Sequence, residues 1–127
     1  MTIQRLGINQ EPTYWHASAT IAGDFIFTSY QAGVVDDNGQ TIEDVAGQTE
    51  QCIRNLERTL AEAGATLADV VKITLLIKNV ADFKPAIAVY GRYFGDLCPS
   101  RTTIISDFLA PALLVQLDAV AYKPQGE

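Results

Sequence analysis

Two stretches of the chain alternate with a period of two. At 113–122, Val115, Leu117, Ala119 and Ala121 fall on one side of an extended strand, and Leu114, Gln116, Asp118, Val120 and Tyr122 on the other. At 70–78, Val71, Ile73, Leu75 and Ile77 share a wholly apolar face, while Val70, Lys72, Thr74, Leu76 and Lys78 share a mixed one. Both strands therefore have one face that wants helices packed on it. The other face is neither deep core nor free surface.

Helical spacing appears twice. Over 45–63 the apolar residues Val45, Cys52, Ile53, Leu56, Leu60 and Ala63 keep to three- and four-residue steps. Thr41 and Asp44 are candidate caps, and Gly64 can close the last turn. Glu50, Arg54, Glu57, Arg58 and Glu62 form a face that reads as solvated. A second helix, capped by Asn79 and running to Phe94 with Pro85 near its start, has the stripe Phe83, Ile87, Tyr90, Phe94. Before the helices, runs at 14–22 and 25–30 flank Gly23-Asp24 and read as a hairpin. Residues 36–39 are a second turn. A short strand at 102–106 and a loop at 107–112 precede the last strand. The order is β-β-α-β-α-β-β, an α+β fold with a mixed β-sheet and two helices on one face. The mixed face still needs a cover, for which another copy of the chain is the natural candidate.

At 127 residues the chain is one domain, and with 48% hydrophobic residues it can build a core. The net charge of −6 repels polyanions on average, and no basic run offsets it, so no nucleic-acid partner is expected. Cys52 and Cys98 lie in no metal or redox spacing; Cys52 falls on an apolar helix face and reads as a core thiol. His16 has no clustered ligands beside it, so no metal site is expected. Residues 1–7 carry no signal-like apolar run, and nothing reaches membrane-spanning length. The expectation is a soluble cytoplasmic protein.

Five segments in order resemble the Rid/YjgF family. They are 70–78 with Asp82-Phe83, Pro99-Ser100-Arg101-Thr102, the closing strand 116–121, Thr28-Ser29-Tyr30-Gln31, and 14–19. The match spans about 14–122. The resemblance implies a chorismate-mutase-like fold and a homotrimer with clefts between subunits. It also implies cofactor-free hydrolysis of carboxylate-bearing imines or enamines to keto acids and ammonia, although some members have no demonstrated deaminase activity.

On that resemblance Arg101 binds the substrate carboxylate, a task its two-pronged guanidinium suits; the alternative is a surface arginine before an edge strand. Asp118 stands where the deaminases carry a water-positioning glutamate. It is shorter by about 1.5 Å of reach, and otherwise reads as a partner of Lys72 or Lys78. His16 falls at the family's tyrosine position and could exchange a proton near neutral pH; otherwise it is a loop histidine bonded to backbone. Ser29 is retained. Tyr30 replaces a glycine, Ile87 an asparagine and Thr103 a cysteine, so an altered substrate is expected. Three functions remain open: an imine or enamine deaminase, a non-catalytic trimer that binds small carboxylates to regulate or protect a partner, and a ribonuclease. The acidic balance argues against the ribonuclease.

Overall fold

The computed structural model describes residues 2–124. Strands β1 (Ile3–Leu6), β2 (Ala19–Ala22), β3 (Phe25–Thr28) and β4 (Gln31–Ala32) precede helix α1 (Val45–Glu62). Strand β5 (Val70–Ile77), helix α2 (Phe83–Phe94), strand β6 (Ser100–Ile105) and strand β7 (Val115–Tyr122) complete the chain. All strands join one sheet in the order β1-β2-β3-β7-β5-β6, with β4 beside β7 beyond the end of β3. Among the described residues only β5 and β6 run parallel, and α2 is the crossover that parallel pairing requires. The expected α+β fold and element order hold, with β1 and β4 added.

The core lies between the sheet and the two helices. Ile73, Leu75 and Ile77 of β5 and Val115, Leu117, Ala119 and Ala121 of β7 meet Cys52, Ile53, Leu56 and Leu60 of α1 and Ala86, Val89 and Phe94 of α2. Asp44 caps α1 by accepting from Gly47 N–H at 2.8 Å. Gly64, at φ +82°, closes the helix in the left-handed region. Cys52 is the core thiol expected of it: burial pushes its pKa up to about 12.

Three expectations need correction. The register of β5 slips between Val70 and Lys72, so Val70 turns inward at 5% exposure and Val71 outward at 44%. A β-bulge adds one residue to one strand and flips the alternation beyond it. The strand expected at 14–22 begins only at Ala19, because Tyr14 and Trp15 turn back to donate to the Glu11 carbonyl and Trp15 takes φ +48°. Asn79 does not cap α2; its side chain donates to Asp82, and a single 3-10 turn at Val80–Asp82 leads into the helix. The charged face of α1 is solvated as expected, with Arg54, Glu57, Arg58 and Glu62 exposed, and it carries surface ion pairs. Asp37 pairs with Arg54 and Arg58, and Glu50 accepts from the Tyr93 hydroxyl at 3.0 Å.

The other sheet face carries no helix. Thr74 pairs with both Thr102 and Asp118, so these three form one row across it. Phe25 and Phe27 of β3, Ile104 of β6 and Tyr122 of β7 are exposed. Leu76, Leu114 and Val120 are half-buried. Among the described residues no helix is long and apolar enough to cross a membrane.

Candidate functional site

Arg101 lies on edge strand β6, in register with Ile73, and so projects to the helix side of the sheet. Its Nε donates to Thr103 Oγ1 at 2.8 Å, which fixes the plane of the guanidinium. The guanidinium carbon stands 5.7 Å from the Phe83 ring centroid and 5.6 Å from that of Tyr90, both on α2. These distances suit cation–π attraction, which holds the charge without neutralising it. Among the described residues Arg101 has no carboxylate partner. Burial pushes the Tyr90 phenol up, and Arg101 pulls it back. The Tyr90 hydroxyl is buried with no hydrogen-bond partner among the described residues.

Beside Arg101 opens a cleft of about 640 Å³, lined by Ile77, Val80, Ala81, Phe83, Lys84, Thr103, Ile105 and Arg101 itself. The lining holds two cations and no acid. Such a place can grip an anionic group with two parallel hydrogen bonds and bury an apolar body beside it. Ile87, one turn beyond Phe83, packs half-buried against the core and does not line this cleft.

Asp118 lies on the helix-free face. Burial raises its pKa above the ordinary value of 3.8, and a hydrogen bond from Thr74 partly offsets the rise. It makes no ion pair with Lys72 or Lys78 among the described residues; Lys72 donates instead to Thr102 at 2.6 Å. Asp118 stands at the break between β3 and β4: Val120 pairs with Phe27, Leu117 with Gln31, and Ala119 N–H donates to the Thr28 hydroxyl at 3.0 Å. Ser29 and Tyr30 form that break. Ser29 N–H donates to the Ser18 carbonyl at 3.0 Å, which ties the bend to the segment carrying His16. Tyr30 is exposed. His16 Nδ1 lies 3.2 Å from the Ala17 carbonyl, packed edge-on to Tyr14, beside a second cleft with Arg5, Asn9 and Trp15.

Residues 8–123 match the family described as endoribonuclease L-PSP, which spans YjgF and Rid proteins. The chain belongs to the Rid/YjgF family. A RutC family protein of Pyrococcus abyssi is 36% identical over 109 residues, covering 85% of this chain and 86% of that protein. The chloroplastic Reactive Intermediate Deaminase A of Arabidopsis thaliana is 30% identical over 107 residues, covering 84% of this chain and 57% of that protein. Among solved structures, a YjgF-family protein from Streptococcus pyogenes superposes with a TM-score of 0.83 at 30% identity, covering 98% and 99% of the two chains. One from Mycobacterium tuberculosis gives 0.82 at 27% identity, covering 95% and 99%.

In this Rid/YjgF chain the residues singled out from sequence divide into two groups. Arg101 and Thr103 share the cleft under α2. Asp118, Ser29 and Tyr30 gather at the β3–β4 break, with Asp118 on the opposite sheet face from Arg101, and His16 sits in the adjoining segment. Sequence reading assigned Phe83 and Tyr90 to the core stripe of α2 and missed their second use as a platform for the arginine. It also missed Lys84. The available signal was that Phe83 opens its stripe while Lys84 follows it directly, at the end of the helix nearest the loop.

Proposed function

We propose that this protein is a cofactor-independent deaminase. In this reading it hydrolyses a carboxylate-bearing imine or enamine to a keto acid and ammonia, in clefts between the subunits of a homotrimer. The observation that carries the reading is Arg101: pinned by Thr103, stacked over Phe83 and Tyr90, and facing an apolar cleft that contains no acid. Imine hydrolysis needs the carboxylate held, a water placed at the imine carbon and a proton delivered to the departing nitrogen. Water adds to the C=N carbon, the resulting carbinolamine collapses, and the C–N bond breaks as ammonia leaves. Asp118, its pKa raised by burial, is suited to take a proton from the attacking water and return it to the amine. It would come from a neighbouring subunit, because within one chain it faces away from Arg101. Relatives named for deaminase and RutC proteins support this reading.

Tyr30, Trp15 and Tyr14 are exposed, and in the trimer we place them as walls over a neighbour's cleft. That wall favours substrates with bulky or flat apolar bodies over the three-carbon imine. The test is a panel of imino acids generated in place by an amino-acid oxidase, with keto-acid release followed with and without the protein. Larger imines should turn over faster, and Tyr30→Gly should shift the ranking towards small ones. A three-carbon imine processed as fast as the rest, or a ranking untouched by Tyr30→Gly, overturns the size preference.

A second reading is a carboxylate-binding module without chemistry. It is favoured by the Arg101 cleft being complete within one chain, while the proton donor is elsewhere. An inert panel together with intact keto-acid binding would select it. Ribonuclease action fits poorly, since a cleft with two cations in a chain of net charge −6 offers little to a polyphosphate.

A further inference from the structure

Lys84 occupies the second position of α2, immediately after Phe83, whose ring carries the Arg101 guanidinium. It lines the Arg101 cleft and, like Arg101, has no ion pair among the described residues. Asp82, the nearest acid in sequence, is held by the Asn79 side chain at 3.1 Å and is not part of the lining. The rest of the lining is Thr103 and the apolar residues Ile77, Val80, Ala81, Phe83 and Ile105. Two unpaired cations in an apolar cleft, in a chain with fifteen acids against nine bases, form a local positive well. A monocarboxylate gripped by Arg101 through both oxygens leaves Lys84 without an anion.

We infer that the cleft selects ligands with two acidic groups, Arg101 holding the carboxylate next to the reacting carbon and Lys84 the one at the far end, with the apolar walls packing the carbons between. Lys84 is then a specificity-determining residue. The inference rests on the reading of Arg101 as a carboxylate anchor and names the substrate class for it: 2-imino or enamine dicarboxylic acids, whose products are 2-oxo dicarboxylic acids.

The test is calorimetry on the whole protein with matched pairs of products: oxaloacetate against 2-oxobutanoate, 2-oxoglutarate against 2-oxopentanoate, and 2-oxoadipate against 2-oxohexanoate. In the wild type the dicarboxylate of at least one pair should bind about three- to tenfold more tightly, the range for one further ion pair at a partly covered site. The preference should shrink as salt is raised. Lys84→Met keeps an apolar stem of similar length and removes the charge; it should abolish the preference, weakening each dicarboxylate more than its monocarboxylate partner. Equal affinities within every pair in the wild type, or a preference that survives Lys84→Met, overturn the inference. Arg101→Lys separates this from failure of the underlying reading: if it changes no acid's affinity, the cleft is not the carboxylate site at all. If it weakens every acid while Lys84→Met changes nothing, Arg101 stands and only the second anchor is lost.

Discussion

Arg101 and Asp118 are the two residues whose surroundings say most about chemistry. Arg101→Lys keeps the charge but loses both the planar fork and the Nε bond to Thr103. Affinity for simple keto acids should fall by about 1.5–3 kcal/mol, the range for hydrogen bonds to charged groups. Calorimetry with 2-oxobutanoate reads this directly, and an unchanged value removes Arg101 from the site. For Asp118 the sign follows from burial. Its folded pKa is raised, so the folded state holds the proton more tightly than the unfolded state, and stability falls as pH rises from about 3.8 through the folded value. Asp118→Asn should remove that part of the pH dependence and leave the protein at least as stable as wild type at neutral pH. Turnover should drop by about 10²–10⁴-fold, as for loss of a general acid–base. Urea unfolding at fixed protein concentration across pH 3.5–7, beside the imino-acid assay, checks both halves. A variant less stable at neutral pH would mean that Asp118 is a structural partner rather than a strained acid.

At the level of elements, the long periodic pieces were readable and the exceptions are local. Helix α1 and strand β7 follow their apolar spacing because each packs against one continuous surface. Strand β5 departs at Val70 because alternation cannot register an inserted residue. Strand β4 is two residues long, too short for any pattern, and exists because the chain returns to β7 after the Ser29-Tyr30 break. Gln48 was the main omission on α1: a polar letter at a fully buried position. It donates to the carbonyls of Ile42 and Ala112 and accepts from Leu114 N–H, bonds made by loops whose positions no helical period encodes. Gln48→Leu should therefore cost about 2–4 kcal/mol, because it strands buried backbone groups that a hydrophobic residue cannot satisfy. Gly33 gives a second measure of the same junction. A Cβ there would meet Gln48 O and Gln51 Cβ at 2.6 Å and Cys52 N at 2.8 Å. Gly33→Ala should push the segment after β4 off α1 at a cost of about 1–3 kcal/mol. Denaturant midpoints of both variants against wild type test the junction, and a neutral result at either position would show that it yields more easily than its close contacts suggest.

The whole molecule raises the question of how two groups of residues on opposite sheet faces could serve one reaction. Arg101 was readable from its motif and Asp118 from its strand. Their separation was not, because motif order carries no information about which face each register position takes. The exposed Phe25, Phe27, Ile104 and Tyr122 on the helix-free face make a second copy the natural cover, and our proposed trimer would bring one subunit's Asp118 to another's Arg101. Light scattering at micromolar concentration should give three times the 13.8 kDa chain mass; a monomer rules the arrangement out. A stricter test mixes two inactive chains, Arg101→Ala and Asp118→Asn, unfolds them together and refolds them. If each site takes its arginine from one chain and its aspartate from the next, half the arginines in a random assembly are intact and half of those meet an intact aspartate. About a quarter of wild-type turnover should then return. Either variant refolded alone should stay inactive, since every site it forms lacks the same group. A mixture that assembles to full mass but remains inactive would mean that both groups act from the same chain, and the shared-site geometry proposed here would fall; activity in Asp118→Asn refolded alone would mean that Asp118 does not act, and the chemistry would have to be rebuilt around Arg101.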